Sequence, residues 1–340
     1  MSKKTEHILV IRLSAMGDVA MTVPVLRALT EQYSNVKLTV LTKAFFKPLF
    51  RDVPNVSVFE ADLKGNHKGV FGLYKLSKAL KKTGFDSVAD LHNVLRSNIL
   101  KFFFFGKKVV QIDKGRAEKK ALVSGEIFQQ LKTTHQRYAD VFKHLGYPID
   151  LSNPKFSNPS ELNSNSLQWI GKDSKPLIGI APFAAFKGKA YPLSQMLTVI
   201  EALSKNYKIV LFGAKGIEEN QLQTVADKND NVINLAGKLS LNDELDIISN
   251  LKLMISMDSG NAHLAAMQGV KVLTIWGVTH PFAGFYPFHQ DKTNAVLANR
   301  SKFPKLPTSV YGNTFPEGYE DVFSTISPED ILNKIEAILK

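Results

Sequence analysis

Short β-branched apolar runs alternate along the chain with longer segments whose apolar residues recur every three or four positions. That alternation marks strands feeding helices in parallel α/β sheets. In the first half it predicts strands at 7–13, 37–41, 87–90 and 109–112. Residues 70–82 place Leu73, Leu76 and Leu80 on one helical face, and 19–33 form an amphipathic stretch directly after the first strand. The pattern lapses at 148–176, which carries Asn-Pro twice and Asn163-Ser164-Asn165-Ser166. This predicts a linker, with Leu167-Gln168-Trp169-Ile170 as a short docked turn inside it. From 177 the alternation restarts, with strands expected at 177–181, 208–212, 232–235, 253–256 and 272–275. Helices are expected at 195–205, 218–228, 242–250 and 261–268. Ser240 is placed to cap a helix with Asp243 and Glu244 in its first turn, and Ser327-Pro328-Glu329-Asp330 opens a last helix running to Lys340. Residues 277–326, rich in Pro, Gly and aromatics, read as an irregular segment rather than a third domain. The expectation is an α/β protein with domains at 1–160 and 161–340 facing across a cleft, ligands lying beyond the carboxyl ends of the strands. The final helix is free to pack back on the first domain.

A length of 340 residues is enough for two cores. The absence of cysteine excludes disulfides and cysteine-built metal sites and favours an intracellular setting. The first apolar run is broken by Arg12 and too short for a signal peptide, and no run of about 18 apolar residues predicts a membrane span. The net charge of +12 is uneven: from Lys64 to Lys120 there are 14 Lys and Arg against 4 Asp and Glu. Such a stretch is either a solvated face or a patch that attracts nucleic acid, an anionic membrane surface or a phosphorylated glycolipid. No nucleic-acid-binding module accompanies it, so nucleic acid is not an expected partner. Phe102-Phe103-Phe104-Phe105 reads as a buried helix end or as an exposed membrane-touching patch.

Three places carry candidate chemistry. Leu13-Ser14-Ala15-Met16-Gly17-Asp18 sets small residues, a glycine and an acid at a strand-to-helix turn. Asp18 there is either a cleft carboxylate or a plain helix-dipole acid, and G-x-G-x-x-G is absent. Met257-Asp258-Ser259-Gly260-Asn261-Ala262-His263 follows a strand, with Asp258 expected as N-cap and the first-turn amides as a diphosphate site that His263 reaches. The alternatives are a plain cap and a core histidine. Lys189, in Phe186-Lys187-Gly188-Lys189-Ala190-Tyr191-Pro192, either neutralises a leaving phosphate or is a solvated lysine.

Residues 8–18 with Pro24 closely resemble the opening of the lipopolysaccharide heptosyltransferase family, glycosyltransferase family 9. Lys189-Ala190-Tyr191-Pro192 resembles its K-x-W-P element, and Asp258-Ser259-Gly260 with His263 its D-[ST]-G-x-x-H motif. Trp276-Gly277-Val278-Thr279-His280-Pro281 is similar to its aromatic-Gly-Pro-Thr-x-Pro loop. Segments Phe85 to His92 with Arg96-Ser97, and His135-Gln136-Arg137-Tyr138, resemble further family stretches. The resemblance implies a B-type glycosyltransferase fold: two Rossmann-like domains, the acceptor on the first and the nucleotide sugar on the second. It implies inverting transfer of heptose from ADP-heptose to the inner core of lipopolysaccharide, a lipid A–Kdo type acceptor, without metal or cofactor. By position, Asp18 would be the general base and Lys189 would stabilise the leaving ADP. Ser14, Gly17, Glu218, Asp258, Ser259, Gly260 and His263 would serve the donor, and His92, Arg96, Lys119 and Lys120 the anionic glycolipid acceptor. The expected place of work is the cytoplasm, peripheral to the inner membrane. Tyr191, Ala15 and Val278 depart from the family pattern, which leaves donor and acceptor open. The alternatives are another nucleotide sugar or surface glycan, or a non-catalytic nucleotide-sugar-binding protein.

Overall fold

In the computed structural model, which describes residues 5–171 and 175–340, the first apolar run becomes β1 (Glu6–Ile11). Its last four residues are buried, as a central parallel strand requires. β2 (Val36–Thr42) and β3 (Val56–Glu60) lie on one side of it, β4 (Ser87–Asp90) and β5 (Lys108–Gln111) on the other. All pair in parallel, in the order β3-β2-β1-β4-β5. The amphipathic stretch after β1 divides into α1 (Met16–Ala20) and α2 (Thr22–Gln32). Pro24 falls in the first turn of α2, where a missing N–H costs no helical bond. α3 (Gly69–Lys81) buries Leu73, Leu76 and Leu80 and packs beside α4 (Leu95–Phe103). The four phenylalanines divide between the two expectations: Phe104 is core, edge-on to Phe85, while Phe102 and Phe105 are exposed.

α5 (Arg116–Ser124) leaves this unit and α6 (Thr134–Leu145) returns to it. By their contacts, the first unit is the chain through Lys114 plus Thr134–Phe156, and the second is Gly115–Thr133 plus Ser157–Lys340. The stretch expected as a linker holds α7 (Ser164–Ile170), whose N-cap Asn163 accepts a hydrogen bond from the Ser166 amide at 2.8 Å. Residues 172–174 of that stretch lie outside the described residues.

The second sheet is built from β6 (Leu177–Ala181), β7 (Lys208–Leu211), β8 (Val232–Asn234), β9 (Leu253–Met257), β10 (Lys271–Trp276) and β11 (Ala295–Leu297). It is all parallel, in the order β11-β10-β9-β6-β7-β8. Between the strands run α8 (Leu193–Ser204), α9 (Ile217–Ala226), α10 (Leu241–Ser249) and α11 (Gly260–Met267), close to the expected spans. Ser240 and Ser327 cap α10 and α12 (Pro328–Leu339), accepting from the Asp243 and Asp330 amides at 3.2 and 3.1 Å. α12 belongs to the second unit. Its stripe of Ile331, Ile335 and Ile338 is buried in the second core, against α8 and β10. Among the described residues no helix is long and apolar enough to cross a membrane.

Each sheet reverses its winding once. In the first unit the chain builds outward from β1 through β2 and β3, then continues on the far side with β4. In the second it builds from β6 through β7 and β8, then continues with β9. Loops diverge at such a switch point, and the crevice beyond the strand ends there is where open α/β sheets bind ligands.

Candidate active site

At the first switch point β1 and β4 pair with Ile11 opposite Asp90. The chain then passes through Arg12 and the turn to α1, whose third residue is Asp18. The Asp18 Oδ2 atom accepts from the Ala15 amide at 3.3 Å and pairs with an Arg12 guanidinium nitrogen at 2.7 Å. The carboxylate therefore closes the helix start and is at the same time a charged group at the strand mouth. Both contacts use one oxygen, and the side chain is 29 % exposed. Arg12 is fixed in turn. It donates to the Leu91 carbonyl at 2.7 Å, and its guanidinium lies 5.9 Å from the centroid of the Tyr138 ring. The buried Tyr138 hydroxyl donates to the Asp18 carbonyl at 3.3 Å.

Across the switch point, the fully buried Asp90 carboxylate orders the turn after β4. It accepts from the amides of His92 and Asn93 at 2.9 Å and from the Gln111 side chain at 2.8 Å. That turn carries His92, which is buried and whose Nδ1 has no partner among the described residues. Burial first, then the Arg12 charge, lowers its pKa to about 4 against the opposing pull of Asp90 and Asp18. The imidazole is therefore neutral at pH 7, able to accept or donate one hydrogen bond near the Asp18 carboxylate.

At the second switch point, β6 and β9 pair with Ala181 opposite Ser256. β9 runs through Met257, one residue longer than expected, so the N-cap of α11 is Ser259 rather than Asp258. Freed from capping, the Asp258 carboxylate pairs with the Lys189 ammonium at 2.9 Å, both side chains largely buried. The Ser259 hydroxyl meets that of Ser256 at 3.0 Å and makes no cap bond, so no N-cap side chain covers the amides that open α11. Uncapped amides at a helix start, beside a lysine already drawn there by a carboxylate, have the chemistry to hold a phosphate-bearing ligand.

Lys189 is held from below by the irregular C-terminal segment. Gly312 adopts a positive φ of 78°, and a Cβ there would lie 2.3 Å from the lysine Cγ. A Cβ on Gly188 would lie 2.5 Å from a Val278 methyl and 2.8 Å from the Gly312 carbonyl oxygen. Tyr191, which departs from the family tryptophan, is core: its hydroxyl lies 3.0 Å from the Ile326 carbonyl and 2.7 Å from the Gln195 side chain. Burial raises its pKa to about 12.

The remaining sequence candidates are distributed between the units. Ser14 and Gly17, half-buried, share the first unit with Asp18, His92 and the exposed Arg96 at the start of α4. Asp258, Ser259, Gly260 and the buried His263 share the second with Lys189. Glu218, in the first turn of α9, folds back so that its Oε2 accepts from the Ala214 amide at 2.7 Å. Lys119 and Lys120 part company. Lys119 is buried with its ammonium 4.1 Å from the Phe285 ring centroid, and Lys120 is exposed. Arg12, Asp90, Tyr138 and Gly312 were not among the sequence candidates. Arg12 left a signal, as the one charge inside an otherwise apolar strand run. Gly312 left none.

Two Rossmann-like parallel sheets, each with a charged pair at its switch point, define a B-type glycosyltransferase fold. The fold matches that of glycosyl transferase family 9 from Veillonella parvula (22% identity, 100% of this chain and 98% of that one, TM-score 0.77). It also matches Escherichia coli ADP-heptose lps heptosyltransferase II (20% identity, 98% of each chain, TM-score 0.69). In sequence the chain is 27% identical to lipooligosaccharide heptosyltransferase 2 of Haemophilus influenzae, over 98% of this chain and 99% of that protein. Residues 73–314 match glycosyltransferase family 9 (heptosyltransferase). The chain belongs to that family and is a glycosyltransferase.

Proposed function

We propose that this glycosyltransferase moves a heptose from ADP-heptose to the inner core of lipopolysaccharide, acting on a lipid A–Kdo type acceptor at the cytoplasmic face of the inner membrane. The observation that carries the reading is the Asp18 carboxylate, paired to Arg12 through one oxygen and partly exposed at a switch point. In the proposed reaction Asp18 takes the proton from an acceptor hydroxyl as that oxygen attacks the anomeric carbon. The bond from that carbon to the β-phosphate oxygen breaks, and ADP leaves with the electron pair. Attack opposite the leaving group inverts the anomeric centre through an oxocarbenium-like state. Lys189 and the amides opening α11 offset the charge gathering on ADP. Asp258 presents the lysine, His263 and Glu218 contact the donor, and no metal takes part. Neutral His92, with exposed Arg96, orients the acidic acceptor.

The test is release of nucleoside diphosphate from ADP-, UDP- and GDP-sugars, with and without a Kdo-bearing lipid A acceptor and with chelator added throughout. Acceptor-dependent ADP release from ADP-heptose is expected. Turnover with a different donor alone would move the substrate, and donor binding with no turnover on any acceptor would overturn the catalytic reading.

A further inference from the structure

The first unit carries a surface that the transfer chemistry does not use. Phe71 on α3, Phe102 on α4 and Phe105 just beyond it are 86, 80 and 96% exposed. Phenyl rings have no polar atom, and three of them open to water on neighbouring helices need an apolar partner. Phe71 and Phe102 are linked rather than scattered. Phe102 packs edge-on against Phe103 (centroids 5.8 Å apart) and Phe103 against Tyr74 (5.4 Å). Phe71 lies one helical turn from Tyr74, on the same face.

Exposed lysines share these two helices and the turn that follows them. Lys75, Lys78 and Lys81 of α3, Lys101 of α4, and Lys107 and Lys108 are all exposed, and the Lys78 ammonium lies 4.6 Å from the Tyr74 ring centroid. No Asp or Glu occurs from 63 to 85 or from 91 to 112. Asp86 and Asp90, between those stretches, accept hydrogen bonds from the His7 amide and from the β4 turn.

We propose that this α3–α4 face docks on an anionic phospholipid bilayer, the aromatic rings entering the headgroup–acyl boundary while the lysines meet lipid phosphates. A bilayer surface supplies both media within one side-chain length. A second copy of this chain would set lysines against lysines, and a nucleic acid would meet the lysines but leave unstacked rings in water. The inference rests on the reading that the acceptor is lipid-anchored, since it gives the enzyme a means of resting where such an acceptor lies.

The experiment uses the full-length chain with vesicles of phosphatidylglycerol and phosphatidylethanolamine, and with phosphatidylcholine alone. It compares the wild type, the Phe71→Ser/Phe102→Ser/Phe105→Ser variant and the Lys75→Glu/Lys78→Glu/Lys81→Glu variant. Circular dichroism confirms folding, and turnover is measured on a delipidated, water-soluble core acceptor. The wild type should sediment with the anionic vesicles only. Each variant should bind them about tenfold or more weakly, with turnover on the soluble acceptor unchanged. Three outcomes would overturn the proposal: wild type that ignores anionic vesicles, folded variants that bind as wild type does, or a wild-type dimer that the substitutions dissolve. A fourth is tighter binding to a single-stranded oligonucleotide than to vesicles, kept by the phenylalanine variant. Absent turnover with vesicle binding intact would sink the transfer reading and leave the docking face standing.

Discussion

The two switch points hold comparable charged pairs built by different means. Arg12 and Asp18 both follow β1 directly, one at the start of the turn and the other in α1. Their supports are a neighbouring carbonyl at Leu91 and the buried Tyr138, so the pair is nearly finished once β1, β4 and α6 have packed. Lys189 and Asp258 come from loops far apart in sequence, and the lysine stem rests on Gly312 from a segment later still. The first pair is specified locally and the second by assembly of most of a domain. Damage remote from the chemistry should therefore reach Lys189 more easily than Asp18.

The largest effect expected is local to the first site. Asp18→Asn keeps the size of the side chain and an acceptor for the Ala15 amide but removes the proposed base. Turnover should fall by about 10²–10⁴-fold, read in acceptor-dependent ADP release, with a modest change in melting temperature. A melting loss matching the loss of rate would assign Asp18 to structure instead.

Gly312→Ala sharpens the contrast. It forces a Cβ onto the Lys189 stem at a positive φ and should lower turnover by about tenfold, in the range of small misplacements at a reacting centre. Gly84→Ala in the first unit is the control. Its φ is 74° but nothing lies within 4 Å of the added carbon, so it should cost only about 1–2 kcal/mol of backbone strain and leave turnover alone. Equal kinetics for the two variants would remove the supporting role of the C-terminal segment.

Tyr191→Phe should lose the hydroxyl contact to the Ile326 carbonyl, about 1 kcal/mol of stability by denaturant titration, with turnover nearly unchanged. A large kinetic loss would make this residue part of the site.

The smallest effect is a slope. His92 has a pKa lowered from 6.5 to about 4, so between those values the unfolded chain binds the proton more readily. Its contribution to stability is intact above about pH 6.5 and is lost as pH falls toward 4. His92→Asn should make stability against pH shallower by about one proton in that window, with His280, lowered to about 4 in the second unit, still contributing. An unchanged slope would mean that the ring is not buried neutral.

What the sequence revealed follows the same division. Ser240 and Ser327 announced their helices because a cap is local, and Asp18 could be singled out because strand, turn and helix are contiguous. β3 escaped because its side chains are only partly buried at the edge of its sheet, which weakens the apolar pattern. β11 escaped as three residues inside a Pro- and Gly-rich stretch. Asp258 reads as a cap because the apolar pattern of β9 stops at Ser256, whereas the strand runs on through Met257 and the Asp258 carboxylate turns to Lys189. Arg12 was visible as a broken apolar run, but its partners Leu91 and Tyr138 lie on other elements. Gly312 was illegible, since only packing brings it to Lys189.

The division of labour between the sites is tested most directly by calorimetric binding of ADP to Asp18→Asn and Lys189→Met, set beside the turnover of each. Asp18→Asn should bind ADP within about twofold of wild type while failing to turn over, because the role proposed for its carboxylate lies with the acceptor. Lys189→Met should bind ADP about tenfold more weakly, the loss expected for one charge on a phosphate. If Asp18→Asn loses ADP affinity as its rate falls, or Lys189→Met keeps it, the assignment of base to the first unit and donor to the second is contradicted.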